Sequence, residues 1–160
     1  MSINRSQPHL LVLPEDDANR QIANGFILYF NNCPIQILPV AGGWRKTIEK
    51  LRNIYVSKMR KYSTCTIVLI IDFDEERTRL EYVTQQIPDD LRDRVFVLGV
   101  WSEPEKLGRD AKKSFEKIGD SLANDCANDT ETMWAHELLK HNKPELLRMI
   151  ASVKPFLFPA

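Results

Sequence analysis

Cysteine is scarce, long apolar runs are missing, and charge of one sign does not dominate; each absence removes a class of protein. Cys33, Cys65 and Cys126 are odd in number, far apart and in no C-x-x-C arrangement with partner histidines, which argues against a disulfide framework or a zinc site. No stretch approaches the roughly 18 apolar residues of a membrane span. The opening Met1-Ser2-Ile3-Asn4-Arg5 leads into no signal-type apolar core before Pro8, so the expected location is cytoplasmic, with no membrane contact. Lys plus Arg equals Asp plus Glu, 22 against 22, so no global attraction to nucleic acid exists, although a local basic face still can.

What is present is ordinary for a folded domain. Apolar residues make up 43% and charged residues 28% of a 160-residue chain, enough for one core and too short for two ordinary ones, so residues 1–160 read as one domain. Four short runs rich in Val, Ile and Leu, His9 to Leu13, Ile35 to Val40, Thr66 to Phe73 and Val95 to Trp101, predict strands buried on both faces.

Helical spacing separates them. Ala18, Ile22, Phe26 and Tyr29 form one stripe, and Trp44, Ile48, Leu51, Tyr55 and Met59 another. A third helix is expected from near Asp74, carrying Leu80 and Val83 up to Pro88. Leu107, Ala111, Phe115, Ile118, Leu122 and Cys126 predict one long helix, and two more are expected at Glu131 to Lys140 and Pro144 to Val153, the last opened by an Asn142–Glu145 capping box. The order βαβαβαβ implies an α/β fold with an open, mostly parallel four-stranded sheet over residues 9–106 and extra C-terminal helices over 107–160.

In such sheets ligands bind beyond the carboxyl ends of the strands. Three of the four turns there are acidic: Pro14-Glu15-Asp16-Asp17, Asp72-Phe73-Asp74-Glu75-Glu76 and Ser102-Glu103-Pro104-Glu105. Helix capping and the helix dipole account for Asp16, Asp17, Glu75 and Glu76, and Ser102 with Glu105 matches a capping box. Asp72 directly follows a buried run, where a carboxylate is costly unless partnered. The Asp-Phe-Asp spacing sets Asp72 and Asp74 on one side of an extended strand end. Glu15, Asp72 and Asp74, with Glu103 as a fourth, are therefore the candidates to hold a hard cation such as Mg²⁺.

Gly42-Gly43 precedes the helix at Trp44 with Lys46 just inside, which reads equally as an anion site or as a tight turn needing positive φ. Lys50, Arg52, Lys58, Arg60 and Lys61 make that helix the densest basic stretch, either a solvated face or a track for a phosphate backbone. His136 and His141 lack the spacing of a helical metal pair.

The layout resembles the TOPRIM domain of topoisomerases, primases and the OLD-type and RloB-like nucleases. Leu10-Leu11-Val12-Leu13-Pro14-Glu15 is similar to that family's strand-and-glutamate motif, and Ile67-Val68-Leu69-Ile70-Ile71-Asp72-Phe73-Asp74 to its Asp-x-Asp motif. Asn19 stands where the family often has a polar or acidic residue; Asp16 and Arg77 stand where it commonly has glycine. The resemblance implies Glu15 as general base or metal ligand, Asp72, Asp74 and Glu103 as ligands of Mg²⁺ or Mn²⁺, and Gly42, Gly43 and Lys46 as phosphate contacts. Nuclease-type phosphoryl transfer on nucleic acid follows as the expected function. The rival expectation is a non-catalytic α/β module that binds a partner protein, a small ligand or a second copy of itself, with Trp101, Trp134 and Phe156-Leu157-Phe158 as contact surface.

Overall fold

Three of the four strands form where Val, Ile and Leu run together, because burial on both faces removes that apolar surface from water, whereas the edge strand at Ile35–Ile37 exposes Gln36 at its centre and is not buried on both faces. The computed structural model describes residues 4–30 and 33–157. In it β1 (His9–Pro14), β2 (Ile35–Ile37), β3 (Cys65–Ile70) and β4 (Val95–Leu98) form one open sheet in the order β2-β1-β3-β4. Every neighbouring pair is parallel, with Leu13 beside Leu69 and Ile67 beside Val95. The expected α/β class and parallel sheet are what the chain adopts.

Element boundaries differ from the expected ones for local reasons. β2 ends at Ile37 rather than Val40, since Pro39 has no N–H to offer a ladder. β3 leaves the regular ladder at Ile70, although Ile71 N–H and Phe73 N–H still donate to the carbonyls of Leu98 and Val100. The helix expected from Asp74 starts at Arg77, because Asp74 and Glu75 both take positive φ, 50° and 60°.

Helices cover both faces. On one side lie α2 (Trp44–Lys50), a π turn at Leu51–Tyr55, α3 (Val56–Lys61) and α4 (Arg77–Gln85), packed on Leu11, Leu13, Ile67 and Leu69. On the other, α1 (Asp17–Tyr29) and α7 (Lys143–Leu157) pack on Leu10, Val12, Val68 and Phe96. The single helix expected from Leu107 to Cys126 is two, α5 (Pro104–Ala111) and α6 (Phe115–Asn128). Lys112 ends the first in the left-handed region at φ 55°, and the Ser114 side chain caps the second by accepting from Lys117 N–H.

Two expectations for the tail also need correcting. Residues 131–139 are turns, tied down by the buried Asp125 carboxylate, which accepts from Thr130 Oγ1 and the N–H groups of Met133 and Trp134. Asn142 and Glu145 form no capping box. Asn142 instead spans both polar groups of Gly99, Glu145 Oε2 accepts from Val97 N–H at 2.9 Å, and Arg148 donates to the Val95 carbonyl at 3.0 Å. Side chains from the start of α7 thus stand in for a fifth strand along the open edge of β4. Trp101 and Trp134 are partly buried against the core rather than displayed, and Phe158 lies outside the described residues.

α1 crosses α6 at backbone contact. A methyl group at Gly119 would overlap the backbone of Ile22 and Phe26, and one at Gly25 would overlap that of Glu116. Among the described residues no helix is long and apolar enough to cross a membrane.

Candidate functional site at the carboxyl edge

The chain order sends β1 to β2 on one side and onward to β3 on the other, so the ends of β1 and β3 flank the point where the topology switches direction. Glu15 follows β1 and Asp72 follows β3, and the parallel register brings them together. Glu15 N–H donates to the Ile70 carbonyl, and Glu15 Oε2 accepts from Asp72 N–H at 2.6 Å.

Asn19, on the first turn of α1, fixes the second carboxylate. Its Nδ2 donates to Asp72 Oδ1 at 2.9 Å and to Asp16 Oδ1 at 3.0 Å, while Asp16 caps the helix by accepting from Asn19 N–H. Asn19 is fully buried, yet its Oδ1 has no hydrogen-bond partner. Ser102 Oγ, also buried, has none either, and it caps nothing, because α5 begins after Glu103. Buried polar atoms without partners are uncommon and concentrate where a ligand or ordered water belongs.

Burial raises the Asp72 carboxyl from 3.8 to about 7; donation from Asn19 opposes this, and the charges of Glu15, Asp16 and Glu105 reinforce it. Glu15 is raised as well, chiefly by burial, with the Asp72 N–H pulling the other way. The Glu15 charge thus disfavours ionisation of Asp72 in a partly dry site, an arrangement that a proton or a cation would relieve.

The other expected ligands sit differently. Asp74 takes a left-handed backbone that breaks strand alternation, and its carboxylate turns to Arg79, 3.2 Å away, with 60% of the side chain exposed. Glu103 is exposed at the N-cap of α5 and accepts no capping bond; Glu105 is the neighbour whose charge Asp72 feels. Among the described residues no group of three or more His, Cys, Asp or Glu gathers where it could hold a metal ion. A cation here would find at most two protein carboxylates, Glu15 and Asp72, and otherwise water or substrate oxygens, a donor set that would suit Mg²⁺ better than Ca²⁺.

Gly42 and Gly43 do need their glycines, at φ 95° and 138°. Both amides, however, donate to the Glu15 carbonyl, at 2.8 and 3.2 Å, so the loop buttresses Glu15 instead of offering free N–H groups. Lys46 folds back over Gly42. Arg79, which no linear motif marks, is the main cation of the site. Nη1 donates to the Asp72 carbonyl at 2.7 Å, Nη2 meets Asp74, and the guanidinium lies 4.7 Å from the Trp44 ring centre. A basic residue in the first turn of a helix opposes the dipole, and that anomaly was the available signal.

Family models, curated proteins and solved structures yield no match to this chain. What the site can do rests on its own side chains.

Proposed function

We propose that the chain is a Mg²⁺-dependent phosphoryl-transfer domain of TOPRIM-like layout, acting on phosphodiester bonds of nucleic acid, with Glu15 and Asp72 as the cation-holding pair. The supporting observation is the like-charged pair itself: a buried and a part-buried carboxyl group at the topological switch point, one raised to about 7, with the nearby Arg79 committed to the Asp72 backbone carbonyl and to Asp74. When bound, Mg²⁺ supplies charge neutralisation at a phosphoryl oxygen and a more acidic water. Burial raises the Glu15 carboxyl, which strengthens it as a base toward an attacking water. Asn19 orients Asp72, and Arg79 fixes the Asp72–Asp74 backbone from the opposite side. Asp74 and Glu103 would act, if at all, on substrate or through water.

The test is nicking of supercoiled DNA and cleavage of single-stranded RNA at pH 8 with Mg²⁺ or Mn²⁺. The proposal expects cleavage abolished by EDTA and lowered at least about 100-fold in Asp72→Asn. Wild-type protein that cleaves neither polymer with either metal overturns it. A non-catalytic module that binds a partner protein or small ligand is the second reading, favoured by the commitment of both loop amides to Glu15. It predicts that same inactive result.

A further inference from the structure

The opposite end of the sheet carries an arrangement that the acid pair does not use. Between the amino-terminal ends of β1 and β3, the edge strand β2 and the overlying α3 lies a pocket of about 220 Å³. Its charged wall is wholly cationic, from Arg5 and Lys58, and none of its lining residues is acidic. Neither cation joins an ion pair among the described residues. Lys58 Nζ rests 5.6 Å from the Tyr55 ring centre, and the Arg5 backbone is held by Thr64, whose hydroxyl donates to the Arg5 carbonyl at 3.4 Å and to that of Gln7 at 3.2 Å.

His9 lines the same pocket and is 2% exposed. Its Nδ1 lies 2.8 Å from the Gln7 carbonyl, an atom that can only accept, so Nδ1 carries hydrogen and Nε2 is left as the ring atom able to meet a ligand. Tyr55 and Tyr62 add aromatic wall, and Leu11 and Leu38 an apolar floor. Cys65 brings no negative charge, because burial raises its thiol to about 11.

We infer that this amino-edge pocket is a binding site for a small aromatic phosphate monoester, its phosphate between Arg5 and Lys58 and its ring against Tyr55 and Tyr62. Two cations outside any ion pair, lining one pocket with a partly apolar floor, suit an oxyanion joined to a flat ring; a hydrated inorganic anion would leave the floor and the tyrosines unused. The volume is below the roughly 300–1,000 Å³ of sites for larger ligands, which limits the guest to about one ring. The carboxyl edge repels such an anion without a metal, so the two sites separate cleanly in EDTA.

The test is calorimetric titration of the full chain in EDTA with phenyl phosphate, inorganic phosphate and phenol as probes. Phenyl phosphate is expected to saturate one site more tightly than inorganic phosphate, with phenol not binding. Lys58→Met and Arg5→Met, both at exposed positions that tolerate substitution, should each weaken phenyl phosphate about tenfold, whereas Lys46→Met at the opposite edge should leave it unchanged. Equal binding by wild type and Lys58→Met, loss of binding in Lys46→Met, or phenol binding as tightly as phenyl phosphate overturns the inference. None of these outcomes depends on cleavage activity.

Discussion

Replacing Asp72 by asparagine removes the part-buried charge of the pair while leaving an oxygen for Asn19 Nδ2 to donate to. In the wild type this carboxyl rises from 3.8 to about 7, first through burial and then through Glu15, Asp16 and Glu105, against the pull of Asn19. A group with a raised pKa binds its proton more tightly in the folded than in the unfolded chain. Its contribution to stability is therefore complete below pH 3.8 and is lost as the pH climbs through about 7. A shift of about 3 units at roughly 1.4 kcal/mol per unit sets a ceiling of about 4 kcal/mol. Asp72 keeps some contact with water, and solvent screening reduces this to about 2 kcal/mol. Asparagine cannot ionise, so the variant escapes the loss. In urea denaturation with EDTA at pH 8.5, Asp72→Asn should be about 2 kcal/mol more stable than wild type at unchanged m-value, equivalent to roughly 4–8 °C in Tm. At pH 4 the advantage should disappear. A variant no more stable than wild type at pH 8.5 would refute the reasoning, because the buried acid would then cost the fold nothing.

Three further perturbations probe the scaffold that holds the pair. Asn142→Ala strips partners from Gly99 N–H and C=O; a loss of about 2–4 kcal/mol in urea denaturation is expected, with faster aggregation as the β4 edge opens, and a loss under 1 kcal/mol would contradict the edge-capping account. Gly119→Ala places a methyl group into the α1 backbone and should cost more than about 3 kcal/mol or abolish soluble expression, whereas near-neutral stability would mean that the two helices do not touch there. Lys112→Gly relieves a left-handed residue at the end of α5 and should raise stability by about 0.5–1 kcal/mol; thermal melts showing a lower Tm would count against that conformation.

The sheet was readable in the sequence because both-face burial writes itself as continuous apolar runs, and alternation with helices forces parallel strands. Glu15 and Asp72 were readable for the same reason: each is the polar residue that ends such a run. What escaped was set by backbone conformation and by distant partners. Positive φ at Asp74 and Glu75 undid the strand alternation on which the Asp72–Asp74 pairing rested. Lys112 broke a helix whose apolar stripe continues across the break, since periodicity does not register a single left-handed residue. Asn142 and Glu145 fit a capping pattern, yet their side chains are spent on β4 and on Gly99 just beyond it, more than forty positions earlier in sequence. Arg79 carried no motif, Glu105 fitted only a capping pattern with Ser102, and both join the site through folding.

The central claim, that Glu15 and Asp72 together hold one divalent cation, is tested most directly by electron paramagnetic resonance of Mn²⁺ titrated into the protein at pH 8. The account predicts loss of the free-ion signal corresponding to one Mn²⁺ per chain, competition by Mg²⁺, and a free-ion signal left undiminished in Asp72→Asn and in Glu15→Gln. An undiminished signal with the wild-type protein, or equal uptake by wild type and Asp72→Asn, would contradict it.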